Sequence, residues 1–436
     1  MYAETATRGI DYVFLDSQLA QNFSKIKIVD DSIDKSGLHK KIKNYYHKKW
    51  SSYDLAKSDC TFIDLFCGAG GLSVGLEQVG LHPIIAIDKD LSATSTYRFN
   101  RPWMQAEDIV NDDIKKIDKK RFPYAPIIVG GPPCQGFSVV NKHKKESDER
   151  NELYKFYVET VKSVQPEIFL MENVEGMLQL YYRIAEDFAA INYTACSPLI
   201  YSPKDFGFPQ SRKRTFILGI NNKYKNTNEL FEIFKKSINE HLSKTVYTLW
   251  DAISDLPEIE AKTAKNATYS ESQIWGYTFA DLSKPKTKYA KLVNFDTKEA
   301  IPLLNHRSKY NNDRDIQIYG LLKQGEKSDA ESISAINPYK SRAEIFRDKF
   351  DKLKADEPCK AITAHMYYDC NMYIHPYQAR GLSPREAARV QGFPDDYLFL
   401  GSPNEWYRQI GNAVSPLVAR VLGDGLKNVL ERIKSL

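Results

Sequence analysis

The residues best suited to do chemistry sit in one ten-residue stretch, Val129-Gly130-Gly131-Pro132-Pro133-Cys134-Gln135-Gly136-Phe137-Ser138. An apolar run over residues 125–129 reads as a short buried strand, after which two glycines and two prolines bend the chain and leave a cysteine on the turn. Pro-Pro removes backbone freedom ahead of the thiol, and the flanking glycines let a ligand come close, which suits a thiolate that must attack along a fixed direction. A strand-end turn with an incidental buried cysteine fits the same ten residues equally well. Two further groups could serve such a nucleophile. Glu172 follows an apolar strand pattern over 167–171, with Glu175 three residues on as its competitor for an acid's role. Gln210, Arg212 and Arg214 alternate along an extended segment, so they share one side of it.

These groups need a scaffold that gathers strand ends. Residues 62–66 predict a buried strand, Cys67-Gly68-Ala69-Gly70-Gly71 a glycine-rich turn, and residues 72–79 a helix closed by Gly80. A second strand over 83–87 delivers Asp88, twenty residues after Gly68, where doubly wound sheets place an acid on a ribose. The third glycine of a dinucleotide fingerprint would fall at Ser73, so the turn looks instead like a cradle for the amino-acid end of S-adenosylmethionine. Asp108-Ile109 is the candidate contact to the adenine amino group. A helix over 153–164 and strands over 167–171 and 215–220 continue the alternation, which predicts an α/β, doubly wound Rossmann-like domain. From 221 to 377 the alternation lapses into short mixed segments rich in Tyr, Lys and Asn, as expected of a smaller, irregular, β-containing domain. Order returns at Ser383-Pro384, which cap a helix, and the chain closes with an amphipathic helix to Ile433.

Composition narrows the class. With 436 residues, 42% hydrophobic and 27% charged, the chain has material for a large domain and a smaller one, and no apolar run approaches membrane-spanning length. Residues 1–22 lack the continuous apolar segment of a secretory leader, so the expected location is cytoplasmic. Six cysteines without CxxC spacing argue against a disulfide framework, and His365, Cys370 and His375 match no zinc signature, so no metal is expected. Seven lysines between Lys35 and Lys57 face a single acid, Asp54, and alternate with aromatics. That pattern fits a phosphate backbone, and it fits an amphipathic helix with Leu38, Ile42, Tyr45 and Tyr46 inward and a solvated lysine face.

Taken together, the motifs resemble a DNA (cytosine-5)-methyltransferase of the bacterial restriction-modification type. The resemblance rests on Asp64-Leu65-Phe66 with Gly68, Gly70 and Gly71; Gly131-Pro132-Pro133-Cys134-Gln135; Glu172-Asn173-Val174; Gln210-Ser211-Arg212-Lys213-Arg214; Arg385-Glu386-Ala387-Ala388-Arg389; and Gly411-Asn412-Ala413-Val414, in the family's order. It implies that Cys134 adds to carbon 6 of a flipped cytosine, that Glu172 delivers a proton at N3, and that Arg212 and Arg214 stand at the base's O2. Phe66, Gly68, Gly70, Gly71, Asp88, Asp108, Ile109, Asn412 and Val414 would bind S-adenosylmethionine, released as S-adenosylhomocysteine. Gln135 and Ser138 would meet the DNA during flipping. The implied organisation is an N-terminal basic and aromatic extension (1–59), a discontinuous catalytic domain (60–220 and 378–436) and a target-recognition domain (221–377). The implied partner is double-stranded DNA and no membrane, the protein acting as a monomer, with a cognate restriction endonuclease using the same site without stable binding. A transfer-RNA cytosine-5 methyltransferase and a catalytically silent nucleic-acid-binding relative are the alternatives.

Overall fold

The computed structural model describes residues 35–51, 60–133, 153–261, 282–295, 297–342 and 348–436. Cys134, Gln135 and Ser138 lie outside the described residues. After an N-terminal helix α1 (Lys35–Ser51) the chain alternates β1 (Thr61–Leu65), α2 (Gly71–Glu77), β2 (His82–Asp88), α3 (Leu91–Phe99), β3 (Ile109–Asn111), β4 (Ile127–Gly130), α4 (Leu153–Val164) and β5 (Ile168–Asn173). Then follow α5 (Tyr181–Ala189), β6 (Tyr193–Ala195), β7 (Leu199–Tyr201), β8 (Arg214–Asn221) and α6 (Thr227–Asn239). The sheet runs β3-β2-β1-β4-β5-β8-β6, with β7 also paired to β8. Strands β1 to β5 are mutually parallel, whereas β8 is antiparallel to β5.

The middle residues of the central strands are mostly apolar because both faces are covered. Phe62, Ile127, Val129, Ile168, Leu170, Phe216 and Leu218 pack on one face, against Leu72 and Leu76 of α2 and the C-terminal helix. The intervening Ile63, Ile128, Phe169, Met171 and Ile217 pack on the other, against Tyr157 and Val161 of α4 and Phe188 of α5. This is the three-layer α/β sandwich expected from the alternating pattern. Its switch point, where the strand order reverses, falls between β1 and β4, so the turn after β1 and the Gly-Gly-Pro-Pro bend after β4 flank one crevice.

Beyond α6 come α7 (Leu249–Ile253), β9 (Leu282–Ser283), α8 (Lys288–Val293), β10 (Ile301–Pro302) and α9 (Asp313–Leu321). Strands β9 and β10 form a two-stranded antiparallel ribbon. Ile318, Tyr319, Leu322, Ile333, Phe350 and Ile374 make a small separate core, while Leu230 and Phe234 of α6 and Leu249 of α7 belong to the main one. Packing is thus continuous across residue 221. The chain ends in α10 (Pro384–Gln391), α11 (Pro403–Asn412) and α12 (Pro416–Lys434). Helix α12 lies between α2 and α6: a Cβ on Gly75 would meet Ala419 and one on Gly425 would meet Phe234, so glycines permit the close approach on both sides. No helix among the described residues is long and apolar enough to cross a membrane.

The Arg385-Glu386-Ala387-Ala388-Arg389 motif is buried throughout. Ser383 caps α10 reciprocally with Glu386, and Arg380 grips the same carboxylate with two nitrogens at 2.7 and 2.6 Å. Arg385 donates to the carbonyls of Leu304, Pro394 and Tyr397, and Arg389 pairs with Asp395 and Asp255. Every nitrogen of both guanidiniums has a partner inside the protein, so this helix fastens the 394–397 loop.

Candidate active site

Strand β5 delivers Glu172 at the C-terminal edge of the sheet, and β8 runs the opposite way, so its first residues start at that same edge. The register pairs Glu172 with Phe216, which puts Arg214 diagonally across on the same face. Arg214 Nε meets Glu172 Oε1 at 2.8 Å. Burial raises the Glu172 pKa, and Arg214 and Arg212 partly offset that rise. Arg212 is pushed down to about 9, by burial first and then by Arg214, and remains a cation at neutral pH. One of its terminal nitrogens donates to the Ile362 carbonyl.

Gln210, Arg212 and Arg214 line one small cleft together with Phe216 and Val414. The Gln210 amide bonds Gln391, which donates at 2.6 Å to the Ala413 carbonyl and so ties this segment to the C-terminal motif. Three buried polar atoms on the segment, Gln210 Oε1, Arg212 Nε and Thr215 Oγ1, have no partner among the described residues. Buried polar groups are ordinarily satisfied, so each is an exception to the usual pairing; Gln210 and Arg212 line the cleft, whereas Thr215 does not.

The bend after β4 touches this acid. A Cβ on Gly131 would lie 2.5 Å from Glu172 Oε2, and Asn173 Nδ2 donates at 2.7 Å to the Pro132 carbonyl. Only glycine leaves the carboxyl where it is. Gly131→Ala is therefore expected to lower turnover by about 10- to 100-fold through displacement of Glu172, with little change in melting temperature. Turnover equal to wild type would show that the carboxyl's position is unimportant.

Across the switch point lies a cavity of about 160 Å³ lined by Phe66, Ile87, Asp88, Lys89, Asp112, Asp113, Ile114, Lys115, Pro133 and Leu153. Phe66 has φ of 60°, a left-handed conformation costly for a bulky side chain and tolerated where the surroundings impose it. Asp88 accepts from the Gly68 and Asp90 amides at 2.9 Å each, and burial raises its pKa. Asp108 and Ile109, expected at this site, stand elsewhere: Ile109 opens β3 with its side chain packed among Ala86, Tyr97 and Met104. The acid-isoleucine pair on the cavity wall is Asp113-Ile114, which sequence inspection missed although the same dipeptide recurs five residues later. Gly68, Gly70, Gly71 and Asn412 do not line the cavity. Gly68 reaches it through Asp88, Gly70 is wedged against Arg101, Tyr97 and Tyr397, and a Cβ on Gly71 would strike the Val414 carbonyl.

Beneath the turn, Asp64 is buried and accepts from Ser73 Oγ at 2.5 Å, while its second oxygen has no partner among the described residues. Burial raises its pKa to about 7, well above that of an exposed carboxyl. The contribution of such a group is fully present below the unfolded carboxyl pKa and is lost as pH rises through about 7. Asp64→Asn is thus expected to flatten the dependence of melting temperature on pH, the wild type falling relative to the variant as neutrality is approached. Parallel curves for the two proteins would contradict the burial argument.

The model of the C-5 cytosine-specific DNA methylase family matches residues 60–428. The type II methyltransferase M.DdeI of Desulfomicrobium norvegicum is 32% identical over 404 residues, covering 85% of this chain and 89% of its own. M.AgeI of Thalassovita gelatinovora, also a type II methyltransferase, is 29% identical over 450 residues, covering 84% of this chain and 98% of its own. Among solved structures, a candidate DNA modification methyltransferase encoded within an Escherichia coli prophage superposes with a TM-score of 0.60 at 28% identity, covering 86% of this chain and all (100%) of that one. The Dnmt2 methyltransferase of Schizosaccharomyces pombe, at 18% identity and a TM-score of 0.51, shares the fold.

Proposed function

The chain belongs to the C-5 cytosine-specific DNA methylase family, and from that premise we propose how its residues divide the reaction. The protein is a DNA (cytosine-5)-methyltransferase. Carbon 5 of cytosine is a weak nucleophile, and the Cys134 thiolate activates it by adding to carbon 6. Glu172, its pKa raised by burial, gives a proton to N3 as charge enters the ring. Arg212 and Arg214 stand at O2 and favour the developing anion. The base is extruded from the duplex to meet the thiol, with Gln135 and Ser138 contacting the DNA as it leaves.

S-adenosylmethionine supplies the methyl group when bound. The residues of the switch-point cavity suit it: Phe66, Ile87, Ile114 and Leu153 offer apolar walls to a purine, and Asp88 offers a carboxylate to ribose hydroxyls. The glycine turn and Val414 hold the opposite, amino-acid end. Residues 60–220 and 378–436 supply the catalytic machinery, and the target sequence is read in the major groove from within 221–377, of which α6 and α7 pack into the catalytic core. The names of the type II relatives support a role in restriction-modification; the role proposed is protective, exercised by a monomer in the bacterial cytoplasm beside an endonuclease that it does not stably bind.

One observation carries this reading. The three residues preceding Cys134 touch both halves of the site, Gly131 lying against Glu172 and Pro133 lining the cavity that holds Phe66 and Asp88. Incubation with tritiated S-adenosylmethionine and duplex DNA is expected to label cytosine, and bisulfite sequencing of DNA from an expressing host should reveal one methylated site. Label appearing in transfer RNA and not in duplex DNA would overturn the DNA assignment.

A further inference from the structure

Helix α1 lies before the family match, which begins at residue 60. Ile42, Tyr46 and Trp50, spaced four residues apart, are all buried, so the helix docks as an amphipathic element. Two of its lysines are paired within the protein: Lys48 with Glu299 and Lys49 with Asp396, each at 2.6 Å. What the helix touches is specific. Tyr45 and Lys49 donate to the Asp396 carboxylate at 2.6 Å each, and the Tyr46 hydroxyl donates to the Asp396 carbonyl. The rings of Tyr46 and Trp50 pack edge-on against Phe99, the last residue of α3, with centroids 5.5 and 5.7 Å apart.

Both contacts lead to the glycine turn. Tyr397, next to Asp396, donates its hydroxyl to the Ala69 carbonyl. Arg101, two residues beyond Phe99, donates to the Gly70 carbonyl at 3.4 Å and to the Tyr397 hydroxyl at 3.0 Å, while Glu77 holds its guanidinium at 3.0 and 2.7 Å. Successive carbonyls of the turn are therefore held by two side chains, and α1 braces the backbone from which each one springs. Holding those carbonyls sets the peptide planes of the turn, hence its fit to a bound molecule.

We propose that α1 is a positioning element for S-adenosylmethionine, acting through Asp396-Tyr397 on one side and Phe99 with Arg101 on the other. The inference rests on the reading of the glycine turn as part of the cofactor site. In the full chain, the combined substitution Tyr45→Phe, Tyr46→Phe and Lys49→Met removes the bonds to Asp396 and keeps both tyrosine rings. It is expected to raise the Kd for S-adenosylmethionine, measured calorimetrically, and its KM by about five- to tenfold, the loss of a few modest hydrogen bonds. The turnover at saturating S-adenosylmethionine and the Kd for duplex DNA should stay within about twofold, as should every parameter of Lys49→Arg, which keeps the ion pair. Combined with Tyr397→Phe, the triple variant should lose less than the sum of the two effects, because both act through one loop. Wild-type affinity in the triple variant, or strict additivity with Tyr397→Phe, would overturn the inference. If the wild type binds and Asp88→Ala does not, failure of the triple variant to differ condemns the role of α1 alone; if the wild type itself does not bind, the cofactor reading falls, and this inference with it.

Discussion

Cys134→Ala is expected to abolish methyl transfer to duplex DNA, a fall of at least about 10⁴-fold in turnover, because removing a covalent nucleophile removes the route and not one interaction along it. Cys134→Ser should be nearly as inactive, since a serine hydroxyl provides almost no anion at neutral pH. The same chemistry predicts a trapped species. On duplex DNA carrying 5-fluorocytosine, the wild type should form an adduct that survives denaturing electrophoresis, because fluorine cannot leave carbon 5 as a proton does. The alanine variant should form none. Equal labelling by wild type and variant would remove Cys134 from the mechanism, and methyl transfer by the wild type without an adduct would exclude the covalent route.

For Glu172→Gln the expected loss is about 10²- to 10⁴-fold in single-turnover rate, the usual range for a positioned general acid, with duplex affinity nearly unchanged. The pH profile carries the more discriminating result. Burial raises the pKa of Glu172 and the cations at Arg214 and Arg212 pull it back. The protonated carboxyl is the form that donates, so the rate should fall as pH rises through that raised pKa. Arg214→Met removes the nearer opposing charge, 2.8 Å away, and should move the alkaline limb to higher pH even though the rate itself drops. A limb that moves to lower pH, or a Glu172→Gln enzyme with the wild-type single-turnover rate, would sink the assignment.

Much of the scaffold was legible in short windows of sequence. The apolar run ending at Leu65, the glycines that follow and the helix beyond declare a strand, a turn and a helix because backbone permissiveness and side-chain periodicity are local properties. Gln210, Arg212 and Arg214 were legible as one side of an extended segment for the same reason. Local reading failed where two similar signals compete. Asp108-Ile109 and Asp113-Ile114 are indistinguishable as dipeptides, and the pairing of β3 with β2 turns Ile109 into the core while the chain beyond reaches the cavity. The lysines of α1 likewise suggested a phosphate-binding face, and only their partners Glu299 and Asp396, more than two hundred residues distant, show two of them paired within the protein.

By itself, the sequence determined which carboxylates, cations and glycines sit at the ends of which strands. The tertiary structure decided which of those ends meet. Antiparallel insertion of β8 beside β5 carries Arg214 back to the edge where Glu172 emerges, and the return of α12 over α2 places Val414 against Gly71. Both are long-range pairings chosen by how whole faces bury against one another, a balance that no window of neighbouring residues contains.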